Sequence, residues 1–178
     1  YSNLGLIYTK INNQNLALKN YLTAYEIDPK NFIVNYNLAN HFFSNNDDKN
    51  AEKYYQLSIE LNPQHFYPYN NLFQLYDRSN NLEKLEEIFN NILKLFGRSS
   101  QVQFLEGKLE FKKKNYKKTI DIFKSLEFDK KDYQKSVLIT NILAKCYDHV
   151  GNYSEAYKYY TLSNKRIENT FKNKLNKN

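Results

Sequence analysis

A pattern of large, small and proline residues returns along this chain at a spacing of 34, and it constrains the fold more than any other feature. The first two copies align without a gap: Leu4, Gly5, Tyr8, Ala17, Tyr21, Ala24 and Pro29 return as Leu38, Ala39, Phe42, Ala51, Tyr55, Ser58 and Pro63. A fixed period of this length, with small, aromatic and proline residues at constant offsets, indicates a stacked helix–turn–helix repeat.

Five copies of this pattern align along the chain. Relative to the first copy, the later ones start 34, 68, 102 and 139 residues further on, so three additional residues separate the fourth copy from the fifth. We assign these residues to the polar connector 128–132. The alignment predicts a single all-α domain over 1–178, a right-handed α-solenoid with the following approximate repeats: 1–31, 32–65, 66–99, 100–136 and 137–170. Because the chain begins within the motif and lacks Met, we expect a fragment of a longer protein.

Each position of the pattern has a mechanical reason in a helical hairpin. Leu4 and Tyr8 lie four residues apart and share one face of the first helix. Gly5 and Ala17 are small, so two antiparallel helices can approach closely. Pro29 ends the second helix because it has no N–H group. The predicted helices span about 1–12, 14–28, 31–44, 48–61, 65–78, 82–96, 99–113, 116–128, 133–150 and 153–166, with a capping helix over about 166–175.

The repeat resembles the tetratricopeptide repeat family over about the whole chain, most strongly in repeats one, two and five. Repeat three has Phe73 and Leu85 where repeat one has glycine and alanine, so we expect its two helices to lie farther apart or to cross at a different angle. Repeat four has Glu106 and Glu110 at apolar positions, and we interpret both as solvated side chains with Lys108 nearby. The alternative fold is another α-solenoid, such as a half-a-tetratricopeptide array.

Charge is distributed unevenly along the chain, which carries a net charge of +7. Residues 1–89 hold seven Lys/Arg and ten Asp/Glu, whereas residues 90–178 hold nineteen and nine. The basic run 112–118 falls on the inter-helix turn of repeat four, and it is either a solvated turn or a contact for an anionic partner. Nucleic acid is not the expected partner, because the aromatic residues fall at packing positions rather than on an exposed stacking platform.

The sequence offers no arrangement of residues suited to catalysis. His41, His65 and His149 are scattered without a second ligand at metal-binding spacing, and the four glycines form no phosphate-binding loop. The single cysteine, Cys146, is interpreted as a small core residue. No apolar run approaches the ~20 residues that span a bilayer. We therefore predict a cytoplasmic protein that is not an enzyme and has no cofactor, metal, small-molecule substrate or membrane contact.

The family resemblance implies that the first helices of successive repeats line a concave groove that binds a protein or peptide. The predicted peptide-binding residues are Asn3, Tyr36, Asn37, Asn40, Asn70, Asn71, Gln74, Arg78, Lys108, Lys112, Lys145 and His149. An amide side chain both donates and accepts hydrogen bonds, so a row of them can pair with the backbone of an extended peptide. The last four residues of the set form a basic end suited to an acidic peptide.

Asn3, Asn37 and Asn71 occupy one position in three successive repeats. With the opening Tyr1-Ser2-Asn3-Leu4-Gly5, they resemble the asparagine ladder of the O-linked N-acetylglucosamine transferase family. The alternative explanation is composition, since the chain uses Asn heavily throughout. A carboxylate clamp of the kind found in chaperone-binding arrays is rejected, because Ser2 and Leu6 stand where its first-repeat residues belong.

Two functions from different classes remain open. The first is an interaction scaffold that holds an extended peptide in its groove. The second is the non-catalytic recognition arm of a larger enzyme, because the segment Leu143–Lys165 resembles the last repeat of bacterial proteins in which such an array precedes a sulfotransferase domain. Sequence beyond Asn178 that contained a phosphate-binding loop after a strand would favour the second function.

Overall fold

The computed structural model describes residues 1–127 and 132–175, with side chains described through residue 168. Ten α-helices and no strand occur in this part of the chain. The helices are α1 (Ser2–Lys10), α2 (Gln14–Ile27), α3 (Phe32–Ser44), α4 (Asp48–Leu61), α5 (Phe66–Arg78), α6 (Leu82–Phe96), α7 (Ser100–Lys112), α8 (Tyr116–Ser125), α9 (Tyr133–His149) and α10 (Tyr153–Leu175). Each begins within one residue of its predicted start, which confirms the all-α class. The predicted connector 128–132 lies almost wholly outside the described residues.

The separate capping helix predicted over 166–175 is wrong. α10 continues without a break from Tyr153 to Leu175, so these residues extend the second helix of repeat five. Neither glycine nor proline occurs between those two residues, and nothing in the sequence stops the helix. The Arg166 guanidinium donates to the backbone oxygen of Ser136 at 3.0 Å, which fixes this extension against the start of α9.

The chain divides into two compact units, Tyr1–Phe96 and Gly97–Asn178, called here unit 1 and unit 2. Unit 1 contains α1 to α6, and unit 2 contains α7 to α10. The single predicted domain over 1–178 stays a prediction, and each unit is described by itself below.

In unit 1, small residues let the helices of a hairpin meet. A Cβ atom added to Gly5 would lie 2.5 Å from Cε1 of the buried Tyr21 ring, so this position requires glycine. Ala17 and Ala51 are likewise completely buried. In repeat three, the positions equivalent to Gly5 and Ala17 hold the large residues Phe73 and Leu85, and both are buried. The expected wider or differently crossed hairpin of repeat three stays a prediction.

In unit 2, the core is built on α8, α9 and α10. Its buried members are Ile120, Phe123, Leu126, Ile139, Ile142, Leu143, Cys146, Tyr147 and Ala156. Gly107 repeats the constraint of unit 1, because a Cβ atom there would lie 2.5 Å from the Phe123 ring. Cys146 is buried as predicted, and burial raises the pKa of its thiol to about 11.

The turn inside every hairpin contains one residue with left-handed backbone. These residues are Asn12, Asn46, Asn80, Lys114 and Gly151, with φ between 55° and 78°. Glycine and asparagine adopt this conformation most readily, so lysine in the fourth turn is the exception. The residue that follows caps the next helix in four turns, where the side chains of Asn13, Asp47, Asn81 and Asn152 accept a backbone N–H. Asn115 makes no such bond in the fourth turn.

Candidate peptide-binding surface

The predicted asparagine column in unit 1 does not present three equivalent amides. Asn3 is exposed, whereas Asn37 is buried and its amide nitrogen donates to the Ser2 hydroxyl at 3.0 Å. Asn71 is half-buried, and its amide nitrogen lies 2.8 Å from Oδ1 of Asn40 and 3.2 Å from the Tyr55 hydroxyl. Two of the three amide nitrogens therefore already bond to the protein.

A polar network crosses from α3 to α5 around these residues. The Tyr55 hydroxyl donates to Oδ1 of Asn40 at 2.7 Å, and Asn71 bonds to both. The Asn70 amide nitrogen in turn donates to Oδ1 of Asn71 at 3.3 Å. Burial raises the pKa of Tyr55, so its hydroxyl remains a proton donor. The network holds the Asn40 and Asn70 amides in fixed orientations.

Exposed side chains flank this network. Ile33 on the first turn of α3 and Tyr67 on the first turn of α5 occupy the same position in successive repeats, and they are 50% and 56% exposed. Gln74 is exposed one turn after Asn70, and Tyr36 is half-buried. The surface thus combines two apolar side chains with several amides, which suits the mixed character of a peptide.

Arg78 is predicted as a peptide-binding residue, but the structure gives it partners within unit 1. Its guanidinium lies 4.1 Å from the centre of the Phe43 ring and donates to the Phe43 backbone oxygen and to the Asn46 side chain. It also forms an ion pair with Asp48. Arg78 therefore ties the end of α5 to the turn between α3 and α4. Sequence spacing did not reveal this contact, because its partners lie a full repeat earlier.

The four basic residues predicted for the groove all belong to unit 2. Lys108 and Lys112 are half-buried on α7, and each interacts with other groups of the chain. Lys145 is exposed on α9. The His149 ring stacks on the Tyr116 ring, with centres 4.3 Å apart and planes 4° from parallel. His149 thus contributes to the contact between the α8 and α9 ends as well as to the surface.

The interpretation of Glu110 as a solvated side chain is wrong. Glu110 is buried, and its carboxylate accepts hydrogen bonds from Asn115 at 2.6 Å and from Lys118 at 2.9 Å. Burial acts to raise the pKa of Glu110, but these bonds outweigh it and hold the pKa below its usual value. The Lys118 ammonium also lies 3.8 Å from Glu106. The cation that pairs with Glu110 is therefore Lys118 on α8, not Lys108 on the neighbouring turn of α7.

A recess that sequence analysis did not predict lies among α4, α5 and α6. It encloses about 630 Å³ and is lined by Glu52, Gln56, Ile59, Glu60, Tyr69, Leu72, Tyr76, Lys84, Glu87, Ile88, Asn91 and Leu95. The Tyr76 hydroxyl and the Lys84 ammonium both donate to Oε1 of Glu52, at 2.8 and 2.6 Å. These bonds link the walls of the recess to one another.

The part of the chain that the structure describes contains neither a metal-binding cluster nor a membrane-spanning helix. No group of three or more His, Cys, Asp or Glu in this part of the chain could hold a metal ion. Within the same residues, none of the helices combines the length and apolar character needed to cross a membrane.

Paired antiparallel helices with small residues at their crossing define a helical repeat protein, and the comparisons specify which kind. A family model described as Iml2/Tetratricopeptide repeat protein 39 matches residues 52–167, more than half of the chain. Models described as TPR repeat and Tetratricopeptide repeat match residues 5–46 and 33–65. The chain belongs to the tetratricopeptide repeat family and is a protein-interaction scaffold. No match was found among curated proteins.

Solved structures agree with this fold at low sequence identity. MamA 41-end from Desulfovibrio magneticus RS-1 has a TM-score of 0.75 at 11% identity, covering 94% of this chain and 93% of that one. A tetratricopeptide repeat protein from Parabacteroides merdae gives 0.73 at 22%, covering 96% and 63%. A thermophilic TPR protein of Thermus thermophilus gives 0.67 at 16%, covering 98% and 94%. The likenesses to a glycosyltransferase ladder and to a sulfotransferase arm stay predictions.

Proposed function

We propose that unit 1 binds its protein partner as an extended peptide laid across the first helices α3 and α5. The observation that carries this proposal is the polar network of Tyr55, Asn40, Asn71 and Asn70, which joins the two helices at the surface. Of the asparagine column, Asn71 belongs to this network, whereas Asn37 is buried and bonds to Ser2, and Asn3 is exposed on α1.

The network leaves one donor group and one acceptor group for a partner. Among the described residues, neither the amide nitrogen of Asn40 nor the amide oxygen of Asn70 has a hydrogen-bond partner. An extended peptide backbone offers a carbonyl for the first and an N–H for the second, whatever its side chains are. Because the opposite end of each amide is already bonded, little side-chain entropy is lost on binding.

Side-chain selectivity is assigned to the two apolar residues. Ile33 and Tyr67 are about half exposed and recur at the same position of adjacent repeats. Side chains of the peptide that point toward the surface would cover them, and such burial is worth about 25 cal/mol per Å² of apolar area. We therefore expect peptides that bind unit 1 to carry apolar residues between polar ones.

The preference for acidic peptides rests on unit 2. That unit contains eighteen Lys/Arg and nine Asp/Glu, a net charge of +9. Lys145 is exposed there, in the set with Lys108, Lys112 and His149. An acidic partner would be attracted to this unit, and the attraction would weaken as salt screens it within a Debye length of about 8–10 Å.

The test begins with selection of linear peptides from a phage-displayed random library on the immobilised chain. Fluorescence anisotropy then gives the Kd of each selected peptide for the chain and its variants. We expect Asn70→Ala combined with Gln74→Ala to weaken binding about tenfold, since each lost hydrogen bond is worth ~0.5–1.5 kcal/mol. The matched control is Asn90→Ala with Asn91→Ala, two exposed amides on α6.

The outcomes separate the parts of the proposal. Equal Kd values for both double variants would remove α3 and α5 from the binding mechanism. A Kd that does not change with salt would remove the acidic preference and leave the amide surface. Circular dichroism melting checks that both double variants keep the stability of the parent chain.

A further inference from the structure

The recess among α4, α5 and α6 is a feature of unit 1 that the α3–α5 peptide surface does not use. All of its lining residues lie inside repeats two and three, so neither end of the chain contributes to it. On α5 it is lined by Tyr69, Leu72 and Tyr76, which are spaced by three and four residues and share one side of the helix. Asn70 and Gln74 of the peptide surface do not line it. The two sites are therefore separate.

The charged groups that line the recess are mostly acidic. They are the carboxylates of Glu52, Glu60 and Glu87 and the ammonium of Lys84, so three negative charges and one positive charge leave a net charge of −2. Lys84 pairs with Glu52 at 2.6 Å. Among the residues that the structure describes, Glu60 and Glu87 have no cationic partner. The recess can therefore accept a further positive charge.

The chain's own cation shows how such a group is held there. The Lys84 ammonium lies 2.6 Å from Oε1 of Glu52 and 5.3 Å from the centre of the Tyr76 ring. The Tyr76 hydroxyl donates to the same oxygen at 2.8 Å. Burial and the hydrogen bond to Glu52 raise the pKa of Tyr76, and the nearby Glu87 carboxylate raises it further. A carboxylate and an aromatic ring thus bind one cation, and a second carboxylate lies close to them.

Tyr69 supplies a polar group that has no partner in the protein. Its side chain is 4% exposed and lines the recess, so the part that reaches solvent, which includes the hydroxyl, faces the recess. Within the described part of the chain, no group forms a hydrogen bond with this hydroxyl. Burial raises the pKa of Tyr69, so the hydroxyl stays neutral. Polar groups that are this deeply buried normally have a hydrogen-bond partner, and a ligand in the recess would supply one.

The rest of the lining is apolar and suits the stem of a long side chain. Leu72 and Ile88 are buried, and Ile59 and Leu95 lie beside them along the recess. An arginine side chain combines an apolar stem with a planar cation that pairs with carboxylates and lies against aromatic rings. A hydrated inorganic cation would leave these apolar contacts unused.

We propose that the recess binds an arginine side chain of a protein partner. Glu60 and Glu87 supply the opposite charge, the Tyr69 hydroxyl supplies a hydrogen-bond acceptor, and Leu72 and Ile88 pack against the stem. Unit 1 therefore selects a basic residue of its partner at this second contact. The inference does not depend on the peptide surface of α3 and α5.

Titration of the isotope-labelled chain with acetyl-arginine amide tests the proposal by nuclear magnetic resonance. We expect the backbone amide signals near Leu72 and Ile88 to shift with a Kd of about 1 mM, since a ligand of this size gains little more than that from a small site. Acetyl-citrulline amide is the matched probe, because it has nearly the same shape and no charge. It should cause no shift at the same concentrations.

Paired substitutions test the two free carboxylates. Glu60→Gln combined with Glu87→Gln should weaken arginine binding at least about tenfold, because both hydrogen bonds lose a charged acceptor. The control, Glu26→Gln with Glu83→Gln, removes the same charge from two exposed glutamates of unit 1 that do not line the recess. It should leave the Kd almost unchanged.

The Tyr69 hydroxyl can be tested without disturbing the fold. Tyr69→Phe should weaken arginine binding about threefold to tenfold, the effect of one lost hydrogen bond. It should not lower the melting temperature, because the hydroxyl bonds to no described group of the protein. A lower melting temperature with unchanged binding would give the hydroxyl a structural role and remove it from the site.

Three results would overturn the proposal. They are the absence of shifts well above the expected Kd, equal binding of the arginine and citrulline compounds, and equal effects of the recess and control pairs. Tighter binding of spermidine than of acetyl-arginine amide would likewise assign the recess to free polyamines. Asn70→Ala with Gln74→Ala leaves the recess intact, so failure of the peptide surface does not affect this test.

Discussion

In repeat three, Tyr76 occupies the aromatic position of the first helix, whereas in repeat four Glu110 occupies it. Both side chains are buried, and each forms hydrogen bonds with other side chains, the tyrosine as donor and the glutamate as acceptor. The Tyr76 hydroxyl donates to the Glu52 carboxylate, and the Glu110 carboxylate accepts from Asn115 and Lys118. The comparison shows that this position tolerates a charge when the adjoining turn and helix supply its partners.

The fourth hairpin, in which Glu110 has these partners, lacks the helix cap found in the other hairpins. In repeat three, the Asn81 side chain accepts the backbone N–H of Lys84 at the start of α6. In repeat four, the equivalent Asn115 bonds to Glu110 instead, and no side chain caps α8. A cap is worth about 0.5–2 kcal/mol, less than the cost of leaving a buried carboxylate without partners.

The largest expected effect comes from moving the charge into repeat three. Tyr76→Glu should lower the free energy of unfolding by about 3–5 kcal/mol, because a buried carboxylate there would face Glu52 and would share with it the Lys84 ammonium, which Glu52 already binds at 2.6 Å. Urea unfolding monitored by circular dichroism measures the loss. Tyr76→Phe is the control and should cost about 1 kcal/mol, the value of one hydrogen bond. Similar losses for the two variants would contradict the comparison.

A smaller effect is expected when a partner of Glu110 is removed. Asn115→Ala should lower the free energy of unfolding by about 1–3 kcal/mol, because the buried carboxylate loses its 2.6 Å bond. Asn81→Ala, which removes only a cap, should cost about 1 kcal/mol. Equal losses in the free energy of unfolding for the two variants would mean that the Asn115 side chain does not stabilise the Glu110 carboxylate.

The fourth turn should also be open to stabilisation. Lys114→Asn should raise the free energy of unfolding by about 0.5–1 kcal/mol, because asparagine adopts a φ of 62° more readily than lysine does. Lys113→Asn removes the same charge at a residue with φ of −74°, and it should not stabilise the chain. Equal gains from both variants would assign the effect to charge rather than to backbone conformation.

The smallest effect is a difference in the response of the units to acid. Burial lowers the pKa of His41 in unit 1, so the unfolded state takes up the proton first and stability falls once the pH drops below about 6.5. The lowered pKa of Glu110 in unit 2 gives a contribution that is lost only below about pH 4.5. Hydrogen exchange of each unit against pH should show these two windows, and His41→Gln should abolish the first.

Much of this fold could be predicted because its signals are local. The turn residues and helix caps of each hairpin lie close together in the sequence and return with the period of the repeat. They predicted every observed helix start to within one residue. The extension of α10 was missed because the family's capping helix was expected there, although the sequence contains no stop signal. Contacts that cross repeats were harder to predict. The bond from Asn37 to Ser2 and that from Asn71 to Asn40 span 35 and 31 residues, and only packing decides which amide faces which partner.

The left-handed Lys114 has a consequence for proteolysis. Of the five turns within hairpins, only the fourth contains lysine, at Lys113 and Lys114, and both residues are exposed. Trypsin cleaves after lysine and arginine in exposed, locally unfolding segments, and a turn followed by an uncapped helix opens with less free energy than its capped counterparts. Brief digestion would therefore nick the fourth hairpin while the turns built on asparagine and glycine resist the enzyme.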